Sequence, residues 1–468
     1  MGKSYNIALV SDFFYPQPGG VELHIYHLAQ NLIDRNHSVV IITHAYGDRQ
    51  GIRTLTNGLK VYYIPAVIFF RQSTSPTVFS SFPILRQIFI REQIEIVHGH
   101  GSCSSLCHEA IVHGNTMGLK TVYTDHSLFG FADVTSIIHN KLQKFTLLDI
   151  GHVICVSHTC KENTVLRASL DPSLVSVIPN AVVHDDFKPA LSRPSLNKIT
   201  IVVISRLFQN KGADLLTAII PRICSDRSDI RFLIAGDGPK FIDLEQMRER
   251  YQLQDRVELI GSIRHEQVRD VMVQGQIYLH PSLTEAFGTV LVEAASCGLL
   301  VVTTNVGGIP EVLPSKMTVF AQPEEDSLVD AINKAVNKLK ENKVDTSTFH
   351  SQIKQMYGWA DVAMRTEKVY DGVYARENTP LINRLIKFYN AGSCAGLLFV
   401  LVIVTDFLIL GVLEIFYPKR KIDLARKWPK KNKAKWGNQV TENGGTQSGE
   451  IDAFEKRNPY KLSCMLTK

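Results

Sequence analysis

Two periodicities alternate along this chain. Residues 5–10, 39–43, 59–64, 94–98, 121–124 and 153–156 are short, nearly unbroken apolar runs, the pattern of strands buried on both faces of a parallel sheet. Helical spacing falls between them, first over residues 21–33. A looser stretch over residues 179–194, with three prolines, two adjacent aspartates and no period, reads as a linker. The alternation then restarts. Strands are expected at 199–204, 230–235, 257–260, 277–280, 300–303 and 318–320, with a helix at 213–223 and others between the later strands. Strand and helix alternating in this way predict parallel sheets with helices on both faces. The fold class expected is therefore α/β, in two Rossmann-like units facing one another across a cleft.

One segment breaks both periods. Residues 395–413, AGLLFVLVIVTDFLILGVL, are apolar throughout except for Asp406, and the run is long enough to cross a bilayer. A buried core helix is the alternative. Nine cations follow, from Lys419 through Lys435, and then a polar Gly- and Ser-containing end. The expected organisation is an N-terminal unit over 1–187, a second unit over 195–355, a helical return over 356–390, a transmembrane or membrane-embedded helix over 395–417, and a basic then polar tail over 418–468.

Composition changes this picture little. With 45% hydrophobic and 21% charged residues the chain is an ordinary globular one. The formal net charge of +6 is concentrated in the tail, so no nucleic-acid partner is expected from it. Eight cysteines are scattered without a CxxC pair, and the first apolar run is too short for a secretory leader, which points to a reducing compartment.

In doubly wound sheets ligands bind beyond the C-terminal ends of strands, so the polar residues there are the candidates. Gly19 and Gly20 precede the first helix and allow close approach of a phosphate. Arg206 and Lys211 follow a strand and precede a helix; a planar fork and a point charge suit a diphosphate. Gly236, Asp237 and Gly238 make a tight turn after another strand. The densest stretch is HPSLTEAFGTVLVEA, in which Glu285 and Glu293 are spaced E-x7-E, positioned to accept hydrogen bonds from sugar and ribose hydroxyls. Phe287, Gly288 and Thr289 lie between them, where helix N–H groups would meet phosphate. VGGIPE, residues 306–311, is a further glycine-containing strand-end loop. In the first unit His126 follows a strand in TDHS. His98, His100, Cys103, Cys107 and His108 have metal-ligand chemistry, but no second chelating pair follows, and Asp-x-Asp is absent, so no metal site is expected.

These residues, in this order, resemble retaining glycosyltransferases of the GT-B fold, family 4, over residues 5–375. The stretches SDFFYPQPGGVE, TDHSLFGFAD, SRLFQNKGADLL, IAGDGPK and LTEAFG, followed by one late hydrophobic segment, are more closely similar to the catalytic-subunit family of phosphatidylinositol N-acetylglucosaminyltransferase. That resemblance implies transfer of GlcNAc from UDP-GlcNAc to phosphatidylinositol, the first step of GPI-anchor synthesis. It also implies membership of a multi-subunit membrane complex, with the catalytic units on the cytosolic face of the endoplasmic reticulum. Carried over by motif, Arg206 and Lys211 hold the donor diphosphate, Glu285 the donor sugar and Glu293 the ribose. Gly19 and Gly20 let the first unit close, and His126 sits near the reacting sugar. No cofactor and no metal for the donor are implied. Another family member with a different sugar or lipid, a sugar-nucleotide epimerase and a non-catalytic scaffold remain as alternatives.

Two expectations concern the membrane. Phe69, Phe70, Arg71, Phe79, Phe82 and Arg86 are candidate lipid contacts, with core packing as the rival. Asp406, costly if unpaired in lipid, is expected to meet another polypeptide. The basic run after the hydrophobic segment sits awkwardly with a tail on the far side of the membrane, because positive charge is retained on the cytosolic side.

Overall fold

The computed structural model describes residues 3–17, 19–70, 72–131, 134–191, 196–392 and 394–426. Pro18, Arg71, Ala132, Asp133 and most of the basic tail, from Lys427 on, lie outside the described residues, as does the side chain of Phe70.

The first unit runs β1 (Asn6–Val10), α1 (Gly20–Asp34), β2 (Ser38–His44), β3 (Gly51–Thr54), β4 (Lys60–Ile64) and a small hairpin of β5 (Ile68–Phe70) with β6 (Ser73–Thr74). It continues α2 (Phe82–Arg91), β7 (Ile96–His100), α3 (Ser105–Thr116), β8 (Lys120–Asp125), α4 (Val134–Leu147), β9 (His152–Cys155), α5 (His158–Ala168) and β10 (Val175–Val177). Its sheet has the order β10-β9-β8-β7-β1-β2-β4-β3, parallel except where β3 pairs with β4. Order reverses between β1 and its neighbours β7 and β2, so the loop after Val10 opens at the switch point, where a crevice forms.

The second unit runs β11 (Ile199–Ile204), α6 (Ala213–Asp226), β12 (Ile230–Ala235), α7 (Phe241–Arg250), β13 (Val257–Gly261), α8 (His265–Met272), β14 (Ile277–His280), α9 (Thr289–Ser296), β15 (Leu300–Thr304), β16 (Thr318–Ala321) and α10 (Glu325–Lys340). Its sheet, β13-β12-β11-β14-β15-β16, is parallel throughout and switches between β11 and β14. The candidate loops 205–212 and 281–288 are therefore neighbours because their strands pair directly.

The chain then returns. α11 (Phe349–Met356) packs on α9, whereas α12 (Trp359–Tyr374) crosses back to pack on α1 and β8 of the first unit. Tyr370 of α12 is fully buried and its hydroxyl lies 2.7 Å from His98 Nδ1. α13 (Leu381–Tyr389) and α14 (Ala395–Phe416) complete the order. By length and composition α14 can cross a membrane.

The stretch read as a linker is not a solvated tether. Ala181, Val182 and Phe187 are buried, in a single apolar core that joins β1, β9 and α5 to α9 and Tyr357. Burial there sets the two units against each other. Of the candidate lipid contacts, Phe82 is fully buried and Arg86 nearly so, whereas Phe69 is exposed at the β5–β6 hairpin and Phe79 half-buried. For Phe82 and Arg86 core packing is what the fold delivers.

Candidate functional site

In the second unit, Arg206 and Lys211 lie on the loop leaving β11, and Glu285 on the loop leaving β14. Leu283 N donates to Asn210 O (2.9 Å), which holds the loops together. Lys211 Nζ reaches Glu285 Oε2 at 2.5 Å, with both side chains mostly buried. Arg206 is exposed to the cleft, its guanidinium 5.9 Å from the Phe208 ring centre. Beneath Glu285, His280 is buried and held down to about 4, so its imidazole is neutral.

Gly288 starts α9 from the left-handed region (φ 81), and no side chain caps that end. A helix start without a side-chain cap is the arrangement that attracts an anion, although Leu291 N is already taken by Gly288 O (3.0 Å). Glu293 lies one turn in. Burial alone pushes its carboxyl up to about 7. Thr289 and Glu293 line the cleft with Gly20, His24, Asn180 and Trp359.

Two expected positions do other work. Phe287 turns its ring into the core between the units, against Tyr357 at 5.7 Å, so only its backbone belongs to the loop. Gly236 and Gly238 close against the cation loop: a Cβ on Gly236 (φ +140) would stand 1.8 Å from Ser205 O. Asp237 braces the same loop through its carbonyl, which accepts from Leu207 N at 2.9 Å. This turn shapes the Arg206 loop from behind.

In the first unit, Gly20 is exposed and open to the cleft, whereas Gly19 covers the Glu22 carboxylate. Glu22 is buried, and burial pushes it up to about 7 although Arg206, across the cleft, pulls the other way. His126 belongs to a cluster with His24 and His100. His100 Nδ1 and His126 Nε2 are 3.3 Å apart, and the His24 and His126 ring centres 4.6 Å. Burial lowers all three, His126 to about 3, so the trio is neutral near pH 7. Their ring nitrogens lie within 4.8 Å of one another, the one such grouping able to hold a metal among the described residues. Of the five residues weighed as zinc ligands, only His100 joins that grouping. His98 is taken up by Tyr370 and Thr124, His108 by Thr146 and the Ser102 carbonyl, and Cys107 is in the core.

His126 owes its position to its neighbour Asp125. That fully buried carboxylate accepts from Ser102 Oγ (2.8 Å), Gln143 Nε2 (2.9 Å), Thr164 Oγ1 (2.8 Å) and Arg167 (2.6 Å), so β8, α4 and α5 meet on it. Single-sequence reading overlooked this hub, along with His24 and Trp359, whose rings are 5.3 Å apart at the cleft. Their residue types carry no spacing that marks them. Glu311 carried a signal, the last position of VGGIPE, but the expected role was the glycines'. Its carboxylate accepts from His158 N (2.6 Å), Thr159 N (2.8 Å) and Thr159 Oγ1 (2.7 Å) at the start of α5, capping a helix of the opposite unit. Burial works against that charge, but the bonds from Thr159 and His158 win and hold the carboxyl below its ordinary range. Ser157 Oγ, donating to Ala286 O at 2.7 Å, adds a second bond across the cleft.

Comparison with known proteins gives consistent results. Residues 44–133 match the family described as PIGA (GPI anchor biosynthesis), and residues 186–348 match glycosyl transferases group 1. The gpi3 subunit of phosphatidylinositol N-acetylglucosaminyltransferase from Schizosaccharomyces pombe is 63% identical, covering 89% of this chain and 91% of its own. A human protein named as part of the same enzyme is 53% identical, covering 90% of this chain and 88% of its own. Among solved structures, sucrose-phosphate synthase from Thermosynechococcus elongatus superposes with a TM-score of 0.64 over 79% of this chain and 99% of its own. At 18% identity it speaks for the GT-B fold alone.

Proposed function

The chain belongs to the gpi3 family of phosphatidylinositol N-acetylglucosaminyltransferase subunits, and from that premise we propose that it transfers N-acetylglucosamine from UDP-GlcNAc to phosphatidylinositol. The observation that carries the reading is the Lys211–Glu285 contact beside the uncapped start of α9, with Arg206 on the same loop. As UDP departs, negative charge builds on the diphosphate. Two cations and a helix N-terminus stand ready to meet it in the cleft, and charge placed in advance needs no reorganisation when the reaction occurs. Until the donor arrives, Glu285 neutralises Lys211. A diphosphate takes that ammonium over and frees the Glu285 carboxylate for a sugar hydroxyl.

Glu293 suits the ribose: a carboxyl that burial has pushed up becomes a strong acceptor once hydroxyls donate to it. The neutral His126 faces the reacting sugar as a hydrogen-bonding group. The reading extends to a retaining, front-face displacement with no metal for the donor. It also includes residence at the endoplasmic reticulum membrane with the catalytic units facing the cytosol, within a complex of other subunits.

The test is radiolabelled transfer from UDP-GlcNAc to phosphatidylinositol in microsomes lacking the endogenous enzyme, wild type against Lys211→Ala. Labelled GlcNAc-phosphatidylinositol that disappears in the variant is expected. Undiminished product from the variant would remove Lys211 from the diphosphate site. No product from the wild type with the whole complex present would point to another donor or acceptor.

A further inference from the structure

The buried histidines at the heart of the first unit differ in how their ring nitrogens are used. His98 gives both nitrogens a partner, Tyr370 and Thr124, each at 2.7 Å. His108 does the same with Thr146 and the Ser102 carbonyl, each at 2.9 Å. Such rings are finished parts of the fold. His24 and His100 are as deeply buried, at 5% and 0% exposure, yet His24 Nδ1 and His100 Nε2 have no hydrogen-bond partner in the protein. Buried polar atoms are nearly always paired, so two orphaned nitrogens in neighbouring rings call for a ligand.

Both rings stand with His126. One ring nitrogen from each of the three lies within 4.8 Å of the others, and His100 Nδ1 is 3.3 Å from His126 Nε2. Two imidazoles on one tetrahedral zinc ion, with bonds of about 2.0–2.1 Å, hold their nitrogens about 3.4 Å apart. His100 and His126 already have that spacing, leaving only His24 to draw in. No carboxylate or thiol belongs to the grouping among the described residues. Three imidazoles suit zinc, copper or nickel, whereas magnesium, calcium and manganese favour oxygen. Zinc in particular takes three histidines and keeps a fourth position open. The three rings come from α1, β7 and the turn after β8, and none belongs to the loops that carry Arg206 and Lys211. His24 lines the cleft beside Thr289 and Glu293, and His126 is half-buried, so an ion reaches them from the cleft.

We propose that His24, His100 and His126 form a site for a divalent transition-metal ion of the imidazole-preferring class, zinc first among them, and that its occupation inhibits sugar transfer. The ion draws the His126 ring toward His100 and His24 and so withdraws it from the reacting sugar. It plays no part in holding the donor diphosphate, which the second unit's cations and helix start receive. The binding half of the inference stands on the histidine cluster alone. The inhibitory half rests on the transferase reading above.

Binding is tested on the purified full chain in detergent, with cobalt(II) as a coloured stand-in for zinc. Wild type should develop the intense visible bands of a four-coordinate ion, and added zinc should abolish them. His24→Phe keeps an aromatic ring beside Trp359, 5.3 Å from His24, but removes the ligand. It should lose the bands and weaken zinc binding by more than the roughly tenfold that loss of an outer partner alone costs. No bands in wild type, or the same bands in the variant, would overturn the site. Inhibition is tested by the transferase assay in microsomes carrying the whole complex, each chain scaled to its own rate with chelator present. Zinc should depress the wild type, chelator should restore it, magnesium should do nothing, and His24→Phe should resist. Equal depression of both chains would overturn the inhibitory half. A wild type inactive even with chelator would count against the transferase reading and leave the cobalt result to decide the site.

Discussion

At the scale of single residues, charge placement determines what each side chain can do. Lys211 to alanine removes a cation that acts most on the departing diphosphate, so kcat should fall by roughly 10²–10³-fold with a smaller change in KM; steady-state kinetics checks this. Glu293 supplies a pH signature. Its folded carboxyl sits at about 7 and its ordinary value is 4.5. The folded state therefore holds a proton that the unfolded chain has released between those values, and stability falls as pH rises through that window. Glu293→Gln should be more stable than wild type at pH 8, by up to roughly 3 kcal/mol. The difference should vanish near pH 4, as denaturant titration at the two pH values would reveal, while donor binding is lost. A variant that gains nothing at pH 8 would mean that the folded carboxyl is not raised.

At the scale of elements, the strand-end loops act in pairs because their strands do. β11 pairs with β14, which is why the Arg206–Lys211 loop and the Glu285 loop form one surface although 74 positions separate Lys211 from Glu285. The docking of α14 on α3 is a second such pairing. Asp406→Ala strands His113 in the interior beside Phe82, whose ring stacks on it at 4.2 Å. A loss of about 1–3 kcal/mol is expected for a buried group left without its partner, read as a lower thermal midpoint in detergent. An unchanged midpoint would argue against the docked helix.

At the scale of the molecule, the two units are tied by the buried Ala181, Val182 and Phe187, by α12 crossing back to α1, and by Glu311 on the first turn of α5. Removing the Glu311 carboxylate as Glu311→Ala takes the acceptor from His158 N and Thr159 N, with Ser157 still capping Cys160 N, and loosens the grip of one unit on the other. A larger radius of gyration in solution scattering and a raised KM for the donor are expected, with kcat changed less. The sign with pH follows from the depressed carboxyl: the clamp is intact above the ordinary glutamate range and is lost as pH falls through the depressed folded value. Wild type in acid should therefore approach the variant's dimensions.

The amino-acid pattern alone carries the α/β class, two parallel-sheet units, nearly every central strand to within a residue or two, the loops where Arg206, Lys211 and Glu285 reside, and the helix that bears Glu293. Periodicity and strand-end position are local properties, and a parallel strand buried on both faces writes them plainly. The short edge strands β3, β5, β6 and β10 escaped notice, since too few of their residues are buried to leave a period. Only tertiary structure decided that Phe287 faces inward, that Asp125 gathers three elements, that His24 and His100 join His126, and that Asp406 meets His113 across 293 positions. Each of these is a meeting of residues from separate elements. A linear pattern records that a side chain is apolar or charged; which partner compensates its burial is fixed only when the chain closes on itself.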